Sequence, residues 1–557
     1  MLSRDRAIEA LAGEQFDVAV IGGGITGAGV ALDAASRGYS VALLEKADFA
    51  SGTSSRSSKL VHGGLRYLQK FDLGLVREAL LERQLMVKLA PHLVTPLPIV
   101  VPAFEGARLD RLVGIGLNMY DVMTFAPLRG RRSARRAEPP GEREHDWSPA
   151  RHRVISGKEV VEQLPALQGR NPTEGYLFYD CQTDDARLVL TVLGEAERFG
   201  AIFANRLEVT ELASDPRVGV ALTVHDVESE SMFTVRAENV VNATGVWADR
   251  LAPEELHSEA EAPTIVPSRG THITLAQADV PLVSGAIVPA GEGRSIFALP
   301  WLGRSLIGTT DNTYEGDIDH VQPSAGDIEY LLRATNEFFG TELGPGDVTG
   351  AYAGVRPLIS TGDSRKSVDI SRKAELYETS SGLITITGGK LTTWRRMAKL
   401  AVDRLVERDG RNAPCRTHEI PLGEPVDAGL LPRVQGVDPG SYEQLAGRYG
   451  HAAERVLQTA AERDELAQPI VAGLPDLLAE APFAARFEQA RSIGDVLLRR
   501  TRLGLLAARE LCSAGSQVPD RVGRAIGAEL GWDQRRVALE VERFGEEARA
   551  EGIVVEP

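Results

Sequence analysis

The 557-residue chain contains very little cysteine, and this scarcity excludes two ways of stabilising a protein. Its three cysteines, Cys181, Cys415 and Cys512, lie too far apart to predict a disulfide framework or a metal cluster. We therefore expect no metal site, and a reducing compartment fits the chain.

Long apolar runs and an excess of cations are also missing. No run approaches the length of a membrane span, and the first six residues lead into a short amphipathic helix instead of the apolar core of a signal peptide. Acidic residues outnumber basic ones by 78 to 62, which gives a formal net charge of −16. Because nucleic-acid backbones require clustered cations, this balance predicts no nucleic-acid partner.

The chain does have length and, towards its end, helical periodicity. With 557 residues and 43% hydrophobic content it is too long for one compact core, so two or three domains are expected. Beyond about residue 411 apolar residues repeat at helical spacing, for example after the predicted helix cap Asp533. We predict two domains, residues 1–410 and a C-terminal helical domain, residues 411–557.

Residues 16–45 contain the pattern of a dinucleotide site. An apolar strand, residues 16–21, turns into the sequence GGGITG at residues 22–27, and a small-residue helix and a second strand then lead to Glu45. Strand, G-x-G-x-x-G, helix, strand and acid follow one another in the spacing that such a site requires. The alternative is a structural turn in a chain that is rich in glycine.

Each residue of this pattern has a physical role to play. Gly22 permits the tight turn, Gly24 lets the backbone approach a pyrophosphate, and Gly27 lets the helix pack closely on the sheet. The helix N-terminus offers free N–H groups and the positive end of a dipole, and Glu45 can hold ribose hydroxyls.

Residues 50–68 continue from this unit with serines, glycines and interleaved cations. Such a segment can wrap around a pyrophosphate and the edge of a flavin ring, and Arg66 and Tyr67 add a cation and a phenol nearby. The alternative is a flexible serine-rich loop, but Lys, His, Arg and Tyr recur too regularly for a linker.

Two later segments have the same character. Residues 240–247 form a short strand that breaks into small residues, and residues 384–395 form a strand, a Gly-Gly turn and a new helix start. A helix N-terminus aimed at the pyrimidine edge of a flavin would stabilise the negative charge of the reduced ring. Each segment alone could be an ordinary β-turn, but their order after the first unit favours a flavin site.

Strand-like alternation in the middle of the chain predicts a second sheet. It occurs at residues 273–275, 295–299 and 305–308, which we expect to belong to an antiparallel sheet under a substrate pocket.

Together these segments resemble the FAD-dependent glycerol-3-phosphate dehydrogenases, within the D-amino-acid-oxidase-like flavoproteins. The resemblance spans residues 16–400, and the string at residues 62–68 (HGGLRYL) is its most specific part. It implies an α/β (α+β) fold: a Rossmann-like FAD-binding domain interleaved with an antiparallel-sheet substrate domain, plus a C-terminal helical domain. The matching strings are residues 21–29, 53–68, 184–188, 241–245, 308–311, 354–358 and 388–393.

The resemblance implies FAD as the cofactor and names the residues that would contact it. They lie in the glycine turn, the serine-rich loop, one further strand and the two later loops. The expected FAD contacts are Gly22, Gly24, Ile25, Thr26, Gly27, Glu45, Thr53, Ser54, Ser55, Ser57, Ser58, Lys59, Leu60, His62, Val209, Ala243, Thr244, Gly245, Lys390, Leu391 and Thr392.

The resemblance also implies a reaction, the oxidation of sn-glycerol 3-phosphate to dihydroxyacetone phosphate by hydride transfer from C2 to flavin N5. Arg66 and Arg372, with Tyr67 as a further donor, are expected to grip the phosphate, since a guanidinium matches a phosphate and stays charged. Arg372 has the alternative of a surface ion pair, because Lys366 and Lys373 suggest a solvated segment.

Three residues are expected at the reacting carbon. His272 is the candidate general base, because imidazole titrates near working pH. Arg356 and Lys390 would polarise the oxygen as it becomes a carbonyl. A histidine on a strand is more commonly a hydrogen-bonding residue of the core, and the resemblance leaves open which group takes the proton.

The electron acceptor stays open in the sequence. Membrane quinone is the leading expectation, molecular oxygen with release of hydrogen peroxide is the rival, and an amino-acid oxidase or a non-catalytic flavin-binding sensor is more distant. The basic run at residues 129–136 and the apolar residues 112–123 could contact a lipid surface, although a solvated loop and a buried segment are the alternatives. We expect a cytoplasmic protein, peripheral on the inner face of the cell membrane, and the resemblance implies a homodimer.

Overall fold

The structure, a computed structural model, describes residues 2–65, 72–105, 109–134, 150–215, 219–251, 264–291, 293–359 and 374–556. Arg66, Tyr67 and Arg372 lie outside these ranges, as do the side chains of the basic run at residues 129–136. In the described part of the chain, no helix combines the length and the apolar character that crossing a membrane requires.

One sheet has a parallel centre and matches the predicted nucleotide-binding unit. Strands β1 and β2 run parallel on either side of the first helix crossover, and β10 and β18 continue the sheet beyond β1. The order is β17-β18-β10-β1-β2-β7, with β8 and β9 attached through β10. The strands of this sheet are β1 (Gln15–Ile21), β2 (Val41–Leu44), β7 (Ile202–Ala204), β8 (Leu207–Asp215), β9 (Gly219–Asp226), β10 (Ser231–Asn242), β17 (Ala374–Glu378) and β18 (Ile384–Gly388).

The second sheet is mainly antiparallel. Its order is β15-β11-β14-β13-β12-β4-β6-β3, with β16 on β11 and β5 on β6. The three segments predicted to share a sheet, on β11, β13 and β14, are hydrogen-bonded neighbours. The strands of this sheet are β3 (Leu60–Val61), β4 (Thr95–Phe104), β5 (Arg153–Ser156), β6 (Pro172–Gln182), β11 (Ile265–Ala276), β12 (Gly285–Pro289), β13 (Ser295–Trp301), β14 (Arg304–Gly308), β15 (Asn312–Thr313) and β16 (Val348–Ile359).

Helices of the first part cover the sheets. The small residues of α2 allow close packing, because a Cβ on Gly29 would lie 2.6 Å from the indole of Trp394 on α8. Asp184 caps α6, accepting from the backbone N–H groups of Ala186 and Arg187. These helices are α1 (Arg4–Gly13), α2 (Ile25–Ser36), α3 (Leu73–Leu89), α4 (Arg111–Ala134), α5 (Gly157–Gln163), α6 (Asp185–Arg198), α7 (Ala325–Phe339) and α8 (Trp394–Arg408).

The remainder of the described chain is helical, which agrees with the predicted fold class. Asp533 caps the last helix as expected, and Phe544 and Ala548 of that helix are buried. This part packs on the antiparallel sheet, where the side chain of Arg304 donates to the carbonyl of Leu506 at 2.9 Å. The boundary at residue 410 stays a prediction. The helices are α9 (Pro439–Tyr449), α10 (Ala453–Ala460), α11 (Glu480–Phe487), α12 (Leu503–Leu506), α13 (Ala508–Cys512), α14 (Val518–Leu530) and α15 (Gln534–Glu551), with a π-helix at Asp495–Arg500.

Candidate active site

A cavity of about 1880 Å³ lies between the two sheets. Its walls come from the carboxyl ends of the parallel strands, from the antiparallel sheet and from the helical part. Ligands of open α/β sheets bind beside the carboxyl ends of the strands, so the position agrees with the predicted nucleotide site.

At one end of the cavity the chain presents backbone instead of side chains. Gly22 has a φ of +110°, and a Cβ there would lie 2.7 Å from the carbonyl oxygen of Ala243. A Cβ on Gly27 would lie 1.9 Å from the carbonyl oxygen of Gly22. The turn can therefore be built only with glycine at both positions.

The first turn of α2 faces this end of the cavity. Gly24 is the residue before the helix and provides no side-chain cap, while the Ile25 N–H donates to Ser54 Oγ at 3.0 Å. Ile25, Thr26 and Ser54 line the cavity. A helix N-terminus of this kind beside glycine backbone fits an anionic group such as a pyrophosphate.

Glu45 follows β2 at the same end. One carboxylate oxygen accepts from the Gly23 N–H at 2.6 Å and the other from the Ala47 N–H at 2.8 Å, while burial raises the pKa of the carboxyl. Each oxygen of a carboxylate can accept a further hydrogen bond. Because Glu45 lines the cavity, it has acceptors to offer to ribose hydroxyls.

Other predicted cofactor contacts meet in the same cavity. The Thr392 hydroxyl accepts from the His62 N–H at 3.1 Å, and this bond joins the serine-rich loop to the loop after β18. The predicted residues that line the cavity are Gly22, Gly24, Ile25, Thr26, Glu45, Thr53, Ser54, Ser57, Ser58, Leu60, His62, Val209, Ala243, Thr244, Gly245, Lys390, Leu391 and Thr392.

Three predicted cofactor residues do not line the cavity. Gly27 lies beneath the turn, and Ser55 and Lys59 point into the protein. The Lys59 ammonium is fully buried and donates to both carboxylate oxygens of Asp185 at 2.8 Å, so it is not available to a pyrophosphate. Burial and the neighbouring charge of Arg502 lower the pKa of Lys59 to about 7.

His272 lies on β11 and also lines the cavity. Its Nε2 is 2.9 Å from Ser58 Oγ, and its ring stacks on Tyr352 with centroids 4.8 Å apart. Burial, together with the charges of Lys59 and Arg356, holds the pKa of this imidazole well below its usual range. The ring is therefore neutral at neutral pH.

Arg356 lies on β16, beside β11. Its Nη2 donates to Thr309 Oγ1 at 3.2 Å and to the Thr310 carbonyl at 3.3 Å, and its Nη1 lies 3.5 Å from Asp311 Oδ1. A Cβ on Gly270 would lie 2.4 Å from Nη2, so glycine at that position leaves room for the guanidinium.

Lys390 belongs to a third segment of the chain that lines the cavity. It follows the Gly388–Gly389 turn after β18, where both glycines have positive φ, and precedes the short helical turn at Leu391–Thr393. Its Nζ atom is buried, and the residue lines the cavity together with His272 and Arg356. Two cations and a neutral imidazole thus line the same cavity, and the charge of Arg356 lies close enough to His272 to lower its pKa.

The sequence did not predict that some residues belong to this site. Tyr352 supports His272 only because β16 pairs with β11 in a register that places the two residues opposite each other. The helical part contributes Arg499, Glu547 and Glu551 to the cavity wall, although its sequence carries no recognisable chemical motif.

Comparison with known proteins agrees with this geometry. Residues 17–404 match the family of FAD dependent oxidoreductases, and residues 384–537 match the C-terminal domain of alpha-glycerophosphate oxidase. The aerobic glycerol-3-phosphate dehydrogenase of Bacillus subtilis (strain 168) is 35% identical, covering 90% of this chain and 89% of its own. Glycerol-3-phosphate dehydrogenase 1 of Mycobacterium tuberculosis (strain ATCC 25618 / H37Rv) is 39% identical, covering 90% and 94%.

Solved structures give the same result. The glycerol-3-phosphate dehydrogenase of Bacillus halodurans complexed with FAD has a TM-score of 0.75 at 29% identity, and the match covers 100% of this chain and 98% of that one. The L-alpha-glycerophosphate oxidase of Mycoplasma pneumoniae has a TM-score of 0.51 at 17% identity over 71% of this chain and 95% of its own, which shows the fold alone. With its glycine turn, its acid and its two later loops in place, the chain belongs to the family of FAD-dependent oxidoreductases that includes the glycerol-3-phosphate dehydrogenases.

Proposed function

We propose that this protein oxidises sn-glycerol 3-phosphate to dihydroxyacetone phosphate with FAD as its cofactor. The observation that carries the proposal is that His272, Arg356 and Lys390 line the same cavity as the glycine turn and Glu45. The Bacillus and Mycobacterium relatives are named glycerol-3-phosphate dehydrogenases, which supports this substrate.

The residues of the cavity have different roles in the proposed reaction. When bound, FAD supplies at N5 the acceptor of the C2 hydride. His272, which is neutral, takes the proton of the C2 hydroxyl as general base. Arg356 and Lys390 stabilise negative charge on the C2 oxygen while the proton leaves and the carbonyl forms. From the sequence we further propose that Arg66, Tyr67 and Arg372 grip the phosphate.

We propose membrane quinone as the electron acceptor, with the protein attached to the cytoplasmic face of the cell membrane. On α4 the apolar side chains of Leu112, Ile115 and Val122 are 76%, 57% and 67% exposed and share one face of the helix. Val113 of the same helix lines the cavity, so α4 connects an exposed apolar surface to the flavin site. The basic run at residues 129–136 follows at its end, where anionic headgroups would attract it.

A glycerol-3-phosphate oxidase that passes electrons to molecular oxygen is the second candidate. The match of residues 384–537 to the C-terminal domain of alpha-glycerophosphate oxidase favours it.

From the sequence alone we further propose that the protein forms a homodimer and that its chain divides into domains 1–410 and 411–557.

Anaerobic mixing with sn-glycerol 3-phosphate tests the reaction directly. We expect the absorbance of oxidised flavin to bleach, and a soluble quinone or oxygen admitted afterwards identifies the acceptor by the faster return of the colour. A protein that binds FAD and stays yellow would contradict the substrate and favour a flavin-binding sensor. A protein that takes up no FAD would contradict the cofactor.

Membrane attachment has its own test, the sedimentation of the protein with vesicles of mixed neutral and anionic phospholipid. The double substitution Leu112→Glu and Ile115→Glu places two charges on the exposed face of α4, and we expect about a tenfold loss of vesicle binding, since it removes apolar contact and adds repulsion. The matched control is Leu430→Glu, another apolar side chain that is 81% exposed but lies in the helical part. Equal losses in both variants would contradict a role for α4.

A further inference from the structure

Three buried arginines lie at the end of the π-helix Asp495–Arg500 and in the two residues between it and α12. Arg499, Arg500 and Arg502 are 7% exposed or less, although each bears a permanent charge. Buried charges require partners, and the partners of these three include Asp48 and Asp185 in the first 200 residues, besides Glu488, Asp495 and Glu547 in the helical part.

The first two arginines hold the segment that follows Glu45. Arg499 Nε lies 2.6 Å from Asp48 Oδ2, and the guanidinium of Arg500 binds both oxygens of the same carboxylate at 2.6 and 2.9 Å. Asp48 is buried, so these contacts fix the backbone where it enters the serine-rich loop.

Arg502 holds the middle of that loop. Its Nη2 donates to the Ser55 carbonyl at 2.6 Å and to Asp185 Oδ1 at 3.3 Å, while its Nη1 donates to the Leu498 carbonyl at 2.8 Å. Asp185 in turn accepts from both the N–H and the hydroxyl of Ser57, at 3.0 and 2.7 Å. Arg502 therefore contacts the loop once directly and once through a carboxylate.

Ser57 and Ser58 of the loop connect these contacts to Tyr352 and His272. The Ser57 carbonyl accepts from the hydroxyl of Tyr352, on which His272 stacks. The next residue, Ser58, places its hydroxyl 2.9 Å from Nε2 of His272. An unbroken series of hydrogen bonds and one ring contact thus leads from Arg502 to His272.

We propose that Arg502 is a positioning residue, which holds the loop of residues 51–58 in the shape that binds the FAD pyrophosphate and sets Ser58 against His272. Without its guanidinium, the Ser55 carbonyl loses a charged donor and Asp185 loses one of two cations in a buried place. The helical part of the chain is then a component of the cofactor site. The inference rests on the proposed cofactor site and needs no substrate.

A matched control separates this role from general stability. Arg37 is also buried and binds the buried carboxylate of Asp33, but it lies just past the C-terminal end of α2, away from the glycine turn. A 12-residue helix is about 18 Å long, so Arg37 does not reach the loop. Arg37→Met removes a buried ion pair of the same kind from the same cofactor domain.

The experiment compares the FAD-loaded wild type with Arg502→Met, Arg502→Lys and Arg37→Met. It measures the rate of FAD release on dilution, by flavin fluorescence, and the amide hydrogen exchange of residues 51–58. For Arg502→Met we expect release at least tenfold faster and faster exchange in the loop, with partial recovery in Arg502→Lys, which keeps the charge but has fewer donors. For Arg37→Met we expect a lower melting temperature with both other values within twofold of the wild type.

Two results would overturn the proposal. One is a folded Arg502→Met protein in which FAD release and loop exchange stay within twofold of the wild type. The other is an Arg37→Met protein that changes both values by the same factor. If Arg502→Met does not fold, Arg502→Lys provides the test. FAD release and loop exchange at the wild-type rates in that variant contradict the proposal. Failure of the glycerol 3-phosphate reaction would appear separately, as normal FAD release without bleaching.

Discussion

The glycine turn and the three side chains His272, Arg356 and Lys390 line the same cavity and are built in opposite ways. The turn uses one continuous segment and offers backbone N–H groups, with glycine wherever a Cβ would collide. The cluster brings His272, Arg356 and Lys390 from three strands or their ends and offers side chains. A site for a common cofactor can rely on backbone, whereas a site for a particular reaction depends on chemically distinct groups.

The largest effect is expected at the glycine turn, from Gly27→Ala. The new Cβ would lie 1.9 Å from the Gly22 carbonyl oxygen, so the turn must open and the pyrophosphate site is lost. We expect purified protein without bound flavin and at least a thousandfold weaker FAD binding, measured by fluorescence titration.

Gly194→Ala is the control for that substitution. Gly194 lies inside α6, and a Cβ added there would meet no neighbouring atom of the described chain within 4 Å. This variant should bind FAD normally and gain about 0.5–1 kcal/mol in free energy of unfolding, because alanine loses less conformational entropy in a helix. Normal FAD binding by Gly27→Ala would show that side chains, not the turn, hold the cofactor.

A smaller but still large effect is expected from Lys390→Met. FAD should stay bound through the intact turn and the other expected contacts, while the rate of flavin reduction by glycerol 3-phosphate falls by about 100- to 1000-fold with the loss of one charge at the developing oxyanion. Stopped-flow absorbance measures this rate. Lys399→Met, on the outer side of α8 where the lysine pairs with Asp403, is the control and should stay within twofold of the wild type. Loss of FAD from Lys390→Met would show that this residue is needed to hold the cofactor as well as for the reaction.

The smallest effect concerns pH. Because His272 has a pKa well below its usual range, the general base stays unprotonated in mildly acidic solution, and the reduction rate should change less than twofold between pH 8 and pH 6.5. A fall in rate with an apparent pKa near 7 would point to a different or better solvated base. The measurement is the reduction rate at saturating substrate across this range.

The same pKa has a consequence for stability. Below pH 6.5 the unfolded chain binds a proton at this histidine while the folded protein does not, so the free energy of unfolding should fall as the pH decreases. The slope from one such group is at most about 1.4 kcal/mol per pH unit. Urea unfolding at several pH values measures it, and His272→Asn should reduce the slope. An unchanged slope in that variant would assign the effect to other groups such as His92, whose pKa burial lowers to about 4.

The sequence predicts features that neighbouring residues determine by themselves. The glycine turn, the Asp533 cap and the strand before residue 388 were all predicted, because each depends on a few adjacent positions. The fold class is confirmed for the same reason, since each sheet contains strands with a clear local pattern.

Features that depend on distant packing were not found. Lys59 was named among the expected FAD contacts, but its ammonium is buried against Asp185. That outcome depends on where α6 packs, which no local pattern encodes. The support of His272 by Tyr352 depends on strand register in the same way. The arginines of residues 499–502 carry no motif at all, because Asp48 and Asp185, which they bind, lie more than 300 residues away in the sequence.

The contacts between Asp48 and the arginines of residues 499–500 also constrain the order of events during synthesis. A ribosome makes a chain from its N-terminus, so Asp48 emerges long before Arg499 and Arg500 exist. The serine-rich loop cannot acquire its final contacts until almost the whole polypeptide has been released. From the role proposed for Arg502, an incomplete chain is expected to hold its flavin poorly even with the glycine turn already folded.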